Sequence, residues 1–291
     1  MSQNQVLQTF RDKIDEIDED IIRLLVQRMD VILRVAEFKK NNGEKFFIKS
    51  SREADMVKNL LRKVDKKFPH LAIVNIWRKI ITVANMQEQP LRIVIHNPND
   101  ISDYGYLVRE YYAPEVPISH FDSANNVILE LERNEAQIAI FALPKAELDE
   151  HKEDAKENWW VALANNRKGL RVFAKIPFVE SADEEKNRDQ IQLVAVAAKE
   201  PEKSSDDNSL LYVEVSREVS KAQILSALKE QSMIAKILKS VKINQVEGII
   251  FYLVEIEGFY LENDVAIRSF VQNKIKPFVK ILGHYATPIK I

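Results

Sequence analysis

The chain has 291 residues, 46% of them apolar and 30% charged, with a formal charge of −2, no cysteine and five histidines. That length exceeds one typical domain, and the apolar fraction can fill real cores, so two or three domains are expected. The near-neutral balance argues against a nucleic-acid partner, the absence of cysteine removes disulfide and thiol chemistry, and the scattered histidines offer little for a metal site.

The charge is uneven along the chain. Residues 1–89 carry 17 Lys and Arg against 13 Asp and Glu, a balance of +4, and the remainder carries 25 against 31, a balance of −6. An anionic ligand is therefore expected in the first third. The N-terminus lacks the apolar core of a signal peptide, and no apolar run approaches the ~20 residues that span a bilayer. A cytoplasmic protein with no membrane partner is expected.

The first forty residues read as one unbroken helix. Apolar residues fall at Leu7, Phe10, Ile14, Ile17, Ile21, Leu24, Val31, Val35 and Phe38, a seven-residue repeat with no Gly or Pro before Gly43. Arg28 interrupts the seam. A guanidinium keeps its proton in a protein, so shielding one requires an anion, whether a ligand or an acidic side chain across a coiled coil. At ~1.5 Å rise per residue, Arg28 and Lys39 lie about 16 Å apart and on nearly one face, which suits a small dianion between them. Arg11 lies roughly 25 Å from Arg28 and about 42 Å from Lys39, so it reaches the same ligand only from a second chain packed antiparallel.

Asn41, Asn42 and Gly43 stop that helix, and Ser50-Ser51-Arg52-Glu53 predicts a second helix opened by a capping box. A third runs from about His70 to Gln89 with Leu71, Val74, Trp77, Ile81 and Ala84 on one stripe, closed by Pro90. Arg11, Ile14, Asp18, Leu24, Leu25, Arg28, Val35 and Lys39, then Arg52 and Glu53, then Ile80, Ile81 and Glu88 after Trp77, resemble the all-helical chorismate mutase family over residues 1 to about 89. The resemblance implies three helices, an intertwined antiparallel homodimer, and two sites that each take one arginine from the partner, a role falling on Arg11. Lys49 stands where the family often has an acid, and Ala84 where it often has Ser. Loss of that hydroxyl would weaken binding by on the order of a kcal/mol or two.

Rearranging chorismate to prephenate needs no nucleophile, metal or cofactor. It needs the substrate held folded and the charge growing on the breaking ether oxygen stabilised. On this resemblance Arg28 and Arg11 of the partner subunit clamp the two carboxylates, with Arg52 also a substrate-binding residue. Lys39 donates to the ether oxygen and Glu53 accepts from the ring hydroxyl. Glu88 donates as a protonated acid, so activity should fall with rising pH, and a Gln in its place should remove that fall. Taken singly, Arg11 and Arg52 read as surface arginines, Lys39 as a cation suited to a helix end, and Glu53 as half of the capping box.

From Leu91 strands alternate with helices. Residues 91–96 read as a strand, 104–112 and 124–133 as helices, 137–143 as a buried strand, then a charged helix to about Lys156, and 159–163, 170–173 and 191–197 as further strands. The cluster at 200–208 reads as a linker. Beyond it, strand 210–215, helix 221–231, strands 236–245 and 248–256, helix 263–274 and strand 278–285 follow the βαββαβ ferredoxin-like plan. That part resembles an ACT regulatory domain, and the three-part order resembles bifunctional chorismate mutase and prephenate dehydratase enzymes.

The dehydratase motifs are missing. His96-Asn97-Pro98-Asn99-Asp100 replaces the family's Gly-Pro turn, Lys145-Ala146-Glu147 replaces Glu-Asn-Ser, and no Thr-Arg-Phe triplet stands before the linker. Ser220-Lys221-Ala222 likewise replaces the ACT Gly-Ala-Leu turn. The expected architecture is thus multidomain: an all-α mutase domain at 1–89, a degenerate dehydratase-like α/β unit at 90–199, and an ACT-like α+β domain at 209–291. The expected activity is chorismate mutase. The alternatives are a bifunctional mutase and dehydratase, and a non-catalytic regulator of the aromatic pathway.

Overall fold

The computed structural model describes residues 3–43, 46, 48–65, 67–144, 158–166, 168–183, 190–242 and 248–291. Packing divides the chain into two compact units, one of residues 1–47 and 83–90, the other of residues 48–82 and 91–291. Its cuts fall after residues 47, 82 and 90, the last beside the sequence boundary at 89, and none falls at 199 or 209. The charged helix expected to about Lys156 lies outside the described residues.

In the first unit, α1 (Gln3–Asn41) is a continuous helix of 39 residues with Lys39 and Lys40 in its last turn, where cations suit the negative end of the dipole. Leu25, Arg28, Met29, Ile32, Ala36 and Lys39, spaced by three or four, are at least partly shielded. The seam residues Phe10, Ile14, Ile17, Ile21, Leu24, Val31 and Phe38 are exposed, Phe10 at 62% and Phe38 at 69%. The final residues of α3 (His70–Glu88) complete this unit.

The second unit begins with α2 (Ser50–Lys63) and the first part of α3. Ala54, Val57, Val74 and Ile81 share a core cluster with Phe178 and Ala286, so these helical segments bury their apolar faces against the sheet that follows. The capping box expected at Ser50 and Glu53 is not formed: Lys49 is the N-cap and no side chain caps the helix. Both side chains are engaged elsewhere. Ser50 Oγ accepts from Lys199 Nζ at 3.3 Å, and Glu53 turns inward to Arg78.

The α/β part runs β1 (Ile93–His96), α4 (Ser102–Tyr111), β2 (Ile118–Phe121), α5 (Ala124–Glu132), β3 (Ile138–Ala142), α6 (Trp159–Ala164), β4 (Leu170–Ile176), β5 (Val179–Glu180) and β6 (Leu193–Ala198). Residues 159–163, read above as a strand, are therefore helical; a continuous apolar run carries no period by which to tell a buried strand from a buried helix. Strand β2 escaped the sequence reading because it lies half-exposed at the sheet edge and lacks such a run.

The C-terminal part runs β7 (Asp207–Ser216), α7 (Lys221–Lys229), β8 (Ala235–Val241), β9 (Ile249–Glu257), α8 (Val265–Val271), β10 (Phe278–Ala286) and β11 (Ile289–Lys290). Its βαββαβ order matches the expected ferredoxin-like plan, with all pairs among β7 to β10 antiparallel. A capping box does form at Ser220 and Gln223, starting α7.

Among the described residues these strands form one nine-stranded sheet in the order β2-β1-β3-β6-β4-β10-β7-β9-β8, with β5 and β11 pairing apart from it. The α/β and ferredoxin-like parts thus share a sheet, joined where Gly283 of β10 pairs with Val172 of β4. Gly283 has φ +144°, and a Cβ there would overlap the Val172 carbonyl oxygen, so only glycine permits this approach. One core spans both parts: Trp160 of α6 packs on Tyr212 at 5.8 Å, and Tyr212 on Phe251 at 5.8 Å. Nor is 200–208 a free tether. Ser204 Oγ donates to Asp207 Oδ1 at 2.6 Å, and the Glu202 carbonyl accepts from Ser51 Oγ at 2.8 Å.

Candidate active site

In the first unit the last turn of α1 and the last residue of α3 bring two sequence-predicted site residues together. Lys39 Nζ donates to Glu88 Oε2 at 3.0 Å, with the side chains 13% and 8% exposed. A nearly dry ion pair at the meeting of two helix ends is costly to desolvate, and removing either partner would leave the other's charge shielded and unpaired by it. Arg28 lies eleven residues before Lys39 on the same partly shielded face of α1. Arg11 is exposed on the same helix. One chain alone cannot bring it to Lys39, since the helix is straight-chain geometry of ~1.5 Å per residue.

Arg52 and Glu53 belong to the second unit. Arg52 is exposed on α2. Glu53 is buried, and its Oε2 accepts from Arg78 Nη1 at 3.0 Å. The Arg78 guanidinium also lies 3.9 Å from the centre of the Tyr111 ring. Burial opposes the charge on Arg78, but Tyr111 and Glu53 outweigh it and raise its pKa. Tyr111 in turn is pushed up by its burial.

Beside Ser50, Lys199 Nζ donates to the Ile48 carbonyl at 3.2 Å and to Glu202 Oε2 at 3.1 Å, and burial lowers its pKa. Lys49, standing where the family often has an acid, pairs with Glu202 at 3.2 Å. Sequence reading overlooked Arg78 and Lys199. Arg78 did leave a signal: it falls between Val74 and Ile81 at helical spacing, a cation on a buried stripe, the same anomaly as Arg28 in α1.

These side chains can orient anions and donate hydrogen bonds. Among the described residues no group of three or more His, Asp or Glu is placed to hold a metal, and no helix is long and apolar enough to cross a membrane.

Residues 10–89 match the family model described as chorismate mutase type II. Over 139 residues, 46% of its length, the chain is 25% identical to the bifunctional chorismate mutase/prephenate dehydratase of Aquifex aeolicus (strain VF5), and it spans 38% of that relative. Among solved structures it is similar to the prephenate dehydratase from Streptococcus mutans, with a TM-score of 0.47 and 16% identity, covering 69% of this chain and 100% of that one. Similar again is the quorum-quenching acylase GqqA, with a TM-score of 0.47 and 14% identity, covering 68% and 96%.

Proposed function

We propose that this chain is a cytoplasmic chorismate mutase whose helical region works as an antiparallel homodimer. The observation that carries the reading is the shielded Lys39–Glu88 pair, 3.0 Å apart, inside the stretch that matches the chorismate mutase type II model. In the rearrangement one C–O bond breaks as one C–C bond forms within a single molecule. The enzyme therefore has to hold the folded substrate and meet negative charge on the ether oxygen.

Lys39 supplies the cationic donor to that oxygen. Glu88, which holds the Lys39 ammonium in the free protein, gives it up to the substrate and takes a donor's part only with a proton on it. Arg28 and Arg11 of the partner subunit bind the carboxylates at two points each. Arg52 and Glu53, which the resemblance gives to the substrate's anionic groups and ring hydroxyl, belong to the second unit, where Arg78 holds Glu53, and they are left out of this site. Partnering of Arg11 is supported by the uncovered seam on which it rides: exposed apolar side chains along α1 are what a second copy would cover.

The purified full chain should consume chorismate in a continuous absorbance assay. Lys39→Ala should lower kcat by about 10²-fold or more, as expected when a donor to the developing oxyanion is removed. No chorismate loss by the native chain would overturn the reading in favour of a non-catalytic binding role. The bifunctional relative from Aquifex aeolicus motivates one added readout, phenylpyruvate formation from prephenate. With the dehydratase motifs absent, none is expected.

A further inference from the structure

No further inference is drawn: the strongest candidate, the cavity of about 370 Å³ between α3, α4 and the end of β4, is walled mainly by apolar side chains such as Val74, Leu107, Ile176 and Phe178, and nothing in the structure shows what covers it.

Discussion

In the ferredoxin-like part, the sheet of β7 to β10 is covered on both faces. Ile224, Leu228, Ile267 and Phe270 of α7 and α8 close one side, and Trp160 of α6 packs on Tyr212 on the other. Along α1 the opposite holds, for its heptad seam lies open although the sequence pattern is as regular as any in the chain. The difference teaches that regular patterning marks a surface meant to be covered without saying by what. The sheet finds its cover within its own unit, and among the described residues the seam of α1 stays exposed.

The largest effect should come from attacking the uncovered surface. Fully burying an Ile or Phe side chain contributes about 1.5–3 kcal/mol, so the nine exposed seam residues, each partly covered already, could return roughly 10 kcal/mol per helix to an association, before its entropic cost. Ile14→Glu with Ile21→Glu should convert a dimer to a monomer by light scattering and lower chorismate turnover by about 10³-fold, through loss of Arg11 from the partner. Sheet and ferredoxin-like part should keep their thermal transition. A native chain that is already monomeric would refute the account of α1.

A smaller but still large effect belongs to the self-contained unit. Arg78 and Glu53 have side chains 6% and 11% exposed at 3.0 Å, and removing one partner strands the other's charge. Arg78→Ala should therefore destabilise that unit by about 3–5 kcal/mol, and Arg78→Met with Glu53→Leu should recover most of the loss. Urea denaturation of the single and double variants measures both. An additive double variant would show that the two charges do not depend on each other.

Legibility in the sequence follows the same contrast. The βαββαβ plan could be read because each strand alternates or runs apolar between turn residues, and the three helices of 1–89 because their stripes are periodic. What escaped was set by tertiary packing. Residues 159–163 carry no period, β2 sits at an edge, and Gly283 joins two expected domains through one backbone approach that no local pattern marks. In the site, Lys39 and Glu88 were legible one by one, but the pairing of Glu53 with Arg78 was hidden by a plausible capping box that the fold does not form. A cation on an apolar stripe is the usable clue, at Arg78 in α3 as at Arg28 in α1.

Gly283→Ala probes that join. The added methyl meets backbone, which cannot swing aside, and φ +144° is strained for any other residue. Together these should cost roughly 3 kcal/mol, with the sheet loosened between β4 and β10. Faster amide exchange at residues 170–176 than at 249–257 would locate the damage. Uniform exchange across both would mean that the two parts unfold as one.

The smallest expected effect is a pH dependence at the next residue. His284 of β10 donates from Nε2 to the Tyr260 carbonyl and stacks on Phe259 at 4.2 Å. Burial lowers its pKa below the ordinary 6.5 and Arg171 works in the same direction, opposed by the Tyr260 carbonyl, Asp207 and Asp264. Above 6.5 both folded and unfolded chains hold a neutral imidazole, and this group puts no slope on stability. As pH falls below 6.5 the unfolded chain takes up a proton that the folded one resists, so stability declines until the lowered folded value is passed. His284→Gln keeps a neutral donor but cannot titrate. Its Tm should match the native value at pH 8 to within a few degrees and fall less steeply from pH 7 to pH 5; parallel curves for the two proteins would remove His284 as the source.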